Sequence, residues 1–104
     1  MIAKALDQGE DLRIIDVREP DEYEELHVRG VELFPLSRFR QGERPEKDDR
    51  PIAMICRSGS RSAKAAEILE EEGYGDVANI SDGTLGAIEA GEEYVVRDDE
   101  APDT

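Results

Sequence analysis

Short apolar runs alternate with polar segments marked by glycine or proline, and the spacing within the runs switches between strand-like and helix-like along the chain. Ile2, Ala5 and Leu6 recur at helical spacing, and Gly9 is placed to end that helix. Leu12-Arg13-Ile14-Ile15-Asp16-Val17 is β-branched and apolar and predicts a strand, which opens into a polar segment ahead of Pro20. Residues 21–26 predict a short surface helix with Tyr23 and Leu26 turned inward, followed by His27-Val28-Arg29 and a reversal at Gly30. Val31-Glu32-Leu33-Phe34 alternates like an edge strand stopped by Pro35, with Leu36 and Phe39 as apolar anchors beyond it. Residues 40–50 are nearly all charged and predict an exposed connection without chemistry of its own.

The second half repeats the alternation. Residues 51–55 predict a buried strand, 62–72 a helix closed by Gly73, and 76–80 another short strand. Ser81-Asp82-Gly83 turns into a last helix around Leu85 and Ile88, which Gly91 ends, and Tyr94-Val95-Val96 docks on the body. Strands alternating with helices imply an α/β fold: a mainly parallel central sheet of four to five strands with helices on both faces and right-handed crossovers. One domain is expected over 1–97, with 98–104 an acidic, frayed tail. Sites in such sheets collect at the carboxyl ends of strands, where both the Asp16-Val17-Arg18 segment and the loop after Ile55 are expected to lie.

Charge narrows the partners. Thirteen Lys and Arg against 27 Asp and Glu give a formal charge of −14, which argues against nucleic acid and anionic membrane. Lysine occurs only at Lys4, Lys47 and Lys64, and this acidic, lysine-poor composition is that expected of a halophilic protein, hydrated in concentrated salt. Unfolding compared in low and molar salt tests the idea: stability should rise with salt, and an unchanged midpoint counts against it. The single cysteine excludes an intrachain disulfide, and the N-terminus lacks an apolar stretch of signal-peptide or membrane-span length. The expected location is the cytoplasm, where a thiol stays reduced.

That cysteine opens the stretch Cys56-Arg57-Ser58-Gly59-Ser60-Arg61-Ser62, in a turn from strand to helix. A helix N-terminus has backbone N–H groups without intrahelical partners, and these amides together with nearby cations lower a thiol's pKa. Arg57 and Arg61 form a basic island in an acidic chain, Gly59 lets the backbone curl into an anion nest, and Ser58, Ser60 and Ser62 add short donors. An isolated cysteine is usually a small buried hydrophobe; two arginines beside it have no purely structural purpose.

With this loop in view the chain resembles the rhodanese family in its single-domain, thiosulfate sulfurtransferase-like form. The resemblance runs from Leu12 to about Ala90 and rests on three ordered motifs: Asp16-Val17-Arg18-Glu19-Pro20-Asp21-Glu22-Tyr23, then His27-Val28-Arg29-Gly30-Val31 leading to Phe34-Pro35-Leu36, then the Cys56–Ser62 loop with its Ala-rich helix. It implies a five-stranded parallel α/β domain. Cys56 would take sulfane sulfur from thiosulfate or a persulfide donor and pass it, as a persulfide, to cyanide, a thiol or a thioredoxin-like acceptor. By position Cys56 is the nucleophile, the loop from Arg57 to Ser62 is the substrate cradle, and Asp16 and Arg18 support it. No cofactor is implied, and the oligomeric state is not read from these residues. Arg29 stands where the family usually has proline and is expected to loosen that turn. Asp82-Gly83-Thr84-Leu85-Gly86-Ala87 lacks the tryptophan usual beside the site, which leaves the pocket wall smaller or more open.

Two other functions compete. Cysteine phosphatases and arsenate reductases also place a cysteine and an arginine around an oxyanion. Those phosphatases use a loop one residue longer than the four residues between Cys56 and Arg61, and no second cysteine is present for an arsenate reductase cycle. A non-enzymatic redox- or sulfur-sensing module is the other, since exposed thiols of low pKa oxidise readily. His27 is expected to cap or pack rather than act as a base, and no spacing resembles a metal site. Glu70-Glu71-Glu72 reads as a solvated helix end placed against the helix dipole.

Overall fold

The computed structural model describes residues 12–75 and 77–97. The helix expected at 1–8, the tail at 98–104 and Asp76 lie outside the described residues. The elements run β1 (Arg13–Asp16), α1 (Pro20–Glu25), β2 (Leu26–Val28), β3 (Glu32–Leu33), α2 (Leu36–Arg40), β4 (Ile52–Ile55), α3 (Ser60–Glu71), β5 (Val77–Asn79) and α4 (Gly83–Ala90). A 3-10 turn (Glu92–Tyr94) and β6 (Val95–Arg97) follow.

Among the described residues four strands form one parallel sheet in the order β3-β1-β4-β5. β1 and β4 lie at its centre, and all four residues of each are buried, as their unbroken apolar runs require. Side chains alternate across this sheet. Ile15, Val17, Met54 and Cys56 point to one face, where Phe34, Leu36, Phe39, Ala65, Ala66 and Leu69 cover them. Ile14, Ala53 and Ile55 point to the other, against Val28, Val31, Ile80, Ala87 and Val95. α2 and α3 thus close one face, and α4 with the β2–β6 pair closes the other. The register Asp16↔Ile55 brings the ends of β1 and β4 level, so Arg18 and Cys56 emerge at the same edge. Among the described residues no helix is long and apolar enough to cross a membrane.

Several local expectations are corrected. The helix expected over 21–26 ends at Glu25, and Leu26–Val28 is β2, paired antiparallel with β6 through Leu26↔Arg97, His27↔Val96 and Val28↔Val95. Its partner strand lies at the far end of the chain, and three residues carry no periodicity. Arg29 does not loosen the turn. Its amide donates to the Tyr94 carbonyl at 2.8 Å, and its guanidinium donates to the carbonyls of Glu93 and Val95, replacing a proline's stiffness with three hydrogen bonds to the 3-10 turn and the first residue of β6. Gly30 makes the reversal with φ of +85°.

Leu36 and Phe39 belong to a short helix, α2, that buries both. The charged connection 40–50 is not idle either. Arg44 donates to both oxygens of Glu72, and Lys47 Nζ donates to the Gly73 carbonyl at 2.6 Å. Two cations therefore meet the negative end of α3 and offset the acidic run placed there.

Candidate active site

Cys56 leaves β4 as a buried residue, 1% exposed. The chain then bends through Gly59, whose φ of +100° lets α3 begin at Ser60 with its first amides turned back toward sulfur. Sγ accepts a hydrogen bond from the Gly59 N–H at 3.1 Å and lies 3.4 Å from the Ser62 hydroxyl. Burial pushes the thiol up, but the Ser62 hydroxyl and the amides of Ser62, Gly59 and Ser58 outweigh it and hold Cys56 below its ordinary range. The cradle expected from Gly59 and the helix start is thus aimed at the sulfur itself.

The last helix clamps this loop from the other side. Thr84 donates to the Cys56 carbonyl through both its N–H (2.9 Å) and its hydroxyl (3.2 Å), and the Leu85 N–H donates to the Arg57 carbonyl at 3.3 Å. Gly83, with φ of +58°, makes the approach possible: a Cβ there would lie 2.5 Å from the carbonyl oxygens of both Cys56 and Arg57. Asn79, at the carboxyl end of β5, bonds the Gly59 carbonyl through Nδ2 and faces Ser62 through Oδ1.

Asp16 and Arg18 form a buried pair at the end of β1. Arg18 Nε and a terminal nitrogen donate to both carboxylate oxygens at 3.0–3.2 Å, and the Arg18 amide donates to Oδ1. The same guanidinium reaches the Leu26 carbonyl at 2.6 Å, so it pins the start of β2 as well as its own loop. A cavity of about 360 Å³ lies beside the cysteine loop, lined by Arg18, Glu22, Glu25, Leu26, Arg57, Thr84, Leu85 and Ile88. Leu85 is the exposed large apolar residue of the described chain, and with Ile88 and Leu26 it supplies an apolar wall to that cavity.

Arg57 is exposed at that cavity, whereas Arg61 is spent differently. Its two terminal nitrogens grip the two oxygens of Glu22 at 2.7 and 2.9 Å. Ser58 and Ser60 are exposed, and Ser62 is fully buried beneath the sulfur. His27 stacks on Tyr23, centroids 3.8 Å apart, and its Nδ1 lies 2.9 Å from the Tyr23 carbonyl oxygen, a packing arrangement. Glu22, Asn79 and Thr84 escape a reading of local pattern. The available signal was a polar residue ending the β5 strand and an acidic residue inside the Asp16–Tyr23 motif.

The Arg61 guanidinium, with the Glu19 amide adding a smaller share, holds Glu22 down to about 2 against the opposing effect of burial. A folded-state value below the ordinary 4.5 means that this group stabilises the fold above that pH, and that the contribution is lost as pH falls toward about 2. Urea midpoints of the wild type and Glu22→Gln should therefore differ most above pH 4.5 and converge toward pH 2. A constant gap across that window would show that the ion pair is not the source.

The family model for the rhodanese-like domain matches residues 2–89. The protein YqhL of Bacillus subtilis is 35% identical over 71 residues, covering 68% of this chain and 56% of that protein. Thiosulfate sulfurtransferase GlpE of Pseudoalteromonas translucida is 35% identical over 81 residues, covering 78% of this chain and 76% of its own length. The crystal structure of a rhodanese-related protein from Thermoplasma volcanium superimposes with a TM-score of 0.78 at 30% identity, over 90% of this chain and 92% of that one. The chain spans 21% to 56% of the length of several longer curated relatives.

Proposed function

The chain belongs to the rhodanese family, and on that premise we propose that it is a sulfurtransferase working through a persulfide on Cys56. The observation that carries the proposal is a nearly buried sulfur that nevertheless receives a backbone N–H and faces a hydroxyl, so its ionised form is stabilised where a structural cysteine's would not be. The Cys56 thiolate attacks the outer sulfur of thiosulfate. A sulfur–sulfur bond forms to Cys56, the sulfur–sulfur bond of the donor breaks, and sulfite leaves with the electron pair. The persulfide anion then gives its outer sulfur to a nucleophile: cyanide becomes thiocyanate, a thiol becomes a persulfide, and the Cys56 thiolate returns.

Preorganised donors around the sulfur stabilise charge that moves between the two sulfur atoms, and the closed site spares them reorganisation. Arg57, exposed at the cavity, is placed to attract the anionic donor, and the wall of Leu26, Leu85 and Ile88 suits a thiol carried on a less polar acceptor such as a protein of the thioredoxin kind. The bidentate pairing of Arg61 with Glu22 favours this reading over an oxyanion phosphatase, whose arginine must keep both donors for a tetrahedral group. It also moves Arg61 from donor binding to fixing the start of α3 against α1.

Weighing the protein after incubation with thiosulfate tests the proposal. The intact chain should gain one sulfur atom and lose it to cyanide, and Cys56→Ala should gain nothing. Absence of any gain in the wild type would sink the sulfur-transfer reading and leave the sensing module.

A further inference from the structure

Ser62 sits between two acceptors that one hydrogen cannot serve together. Its hydroxyl oxygen is 3.4 Å from Cys56 Sγ and 2.5 Å from Asn79 Oδ1, and a serine has a single O–H to donate. The Asn79 amide is held one way round, because Nδ2 donates to the Gly59 carbonyl at 3.2 Å and leaves Oδ1, an acceptor, toward Ser62. When Cys56 is protonated every group is paired: the thiol donates to Ser62 Oγ, and Ser62 donates to Asn79. Once the thiol has lost its proton to solvent, sulfur competes with Asn79 for the Ser62 hydrogen. Ser62 is fully buried and Cys56 is 1% exposed, so the competition is settled between side chains.

We infer that Asn79 is a positioning residue that sets how much of Cys56 stands as thiolate, by drawing the Ser62 hydrogen away from the sulfur. The inference rests on Cys56 being the sulfur-accepting nucleophile and adds a reason for loading. After transfer the negative charge sits on the outer sulfur, Sγ no longer needs the Ser62 hydrogen, and that hydrogen returns to Asn79. Asn79 therefore opposes the bare thiolate and not the persulfide, which tilts the exchange toward the loaded enzyme.

The sole cysteine makes the test direct. Thiolate ultraviolet absorbance is followed against pH on the full chain, with Cys56→Ser as the blank that removes the tyrosines. Other charged groups near the site stay the same in every variant: Arg57 on the loop, Arg61 on α3 with its partner Glu22 on α1, Asp16 and Arg18 at the end of β1, and Asp82 ahead of α4.

Asn79→Leu should lower the midpoint by about one pH unit, the scale of one hydrogen bond returned to a charged group. Asn79→Ala should move it the same way and serves if the leucine does not fold. Ser62→Ala should raise it, and adding Asn79→Leu to Ser62→Ala should change nothing further. An unmoved midpoint in the folded Asn79 variants overturns the inference. So does an equal fall in the Ser62→Ala background, which would mean that Asn79 acts through the Gly59 carbonyl alone. The titration needs no sulfur donor, so it reads the same whether or not thiosulfate loads the protein, and failure of the sulfur-transfer reading shows separately in the mass.

Discussion

Replacing Arg18 by methionine is expected to cost about 3–5 kcal/mol of stability, because it leaves the Asp16 carboxylate buried without its counter-charge. The two side chains are 6% and 0% exposed, so water cannot take over the lost bonds. The Leu26 carbonyl also loses its donor, which loosens the junction of α1 with β2. Against a total of about 5–15 kcal/mol for an ordinary domain this is a large fraction. The double variant Asp16→Leu with Arg18→Met should recover much of the loss, since an apolar pair of similar volume avoids the desolvation that the ion pair carries. Urea unfolding midpoints decide it. A single variant within about 1 kcal/mol of wild type, the scale of an exposed ion pair, would mean that the pair is solvated rather than buried.

Gly59→Ala is expected to slow persulfide formation by about a hundredfold or more, the scale of losing one preorganised donor at a charged centre. A φ of +100° is unfavourable for any L side chain, and the new Cβ would stand 2.7 Å from the Ser81 carbonyl oxygen, a backbone atom with little freedom to retreat. The loop must shift, and with it the Gly59 N–H that points at Sγ. Gly42→Ala is the control: its φ of +91° carries a similar backbone cost, but no atom lies within 4 Å of the added carbon. Both variants should lose stability, and only the first should lose the rate of thiosulfate-driven mass gain. Equal rates would show that the Gly59 amide does not serve the sulfur.

The cysteine loop and the central strands were legible because their signal is local. Four consecutive buried residues in β4, a cysteine at its end and a glycine three positions later read directly from adjacent letters, and the alternation that separates Ile14 from Ile15 follows from the strand repeat. The groups that finish the site were not legible for the same reason. Glu22 meets Arg61 across 39 positions, Asn79 meets Ser62 across 17, and Thr84 meets Cys56 across 28, so none leaves a mark on its neighbours in sequence. Arg61 shows the cost most plainly. From spacing it is a cation beside a thiol and reads as a ligand for the donor, whereas in three dimensions an acidic residue from the first motif has already claimed it. β2 was missed likewise, its partner β6 being the last described strand.

The clamp of α4 on the cysteine loop ties the shape of that loop to the docking of the last described α-helix. The carbonyls of Cys56 and Arg57 are held by Thr84 and Leu85, 28 positions further along the chain. Without α4 docked the loop lacks these bonds, so the seat of Cys56 is completed by packing at long range and not by its own stretch of sequence. Local opening of α4 would therefore loosen the cysteine loop without unfolding the sheet beneath it.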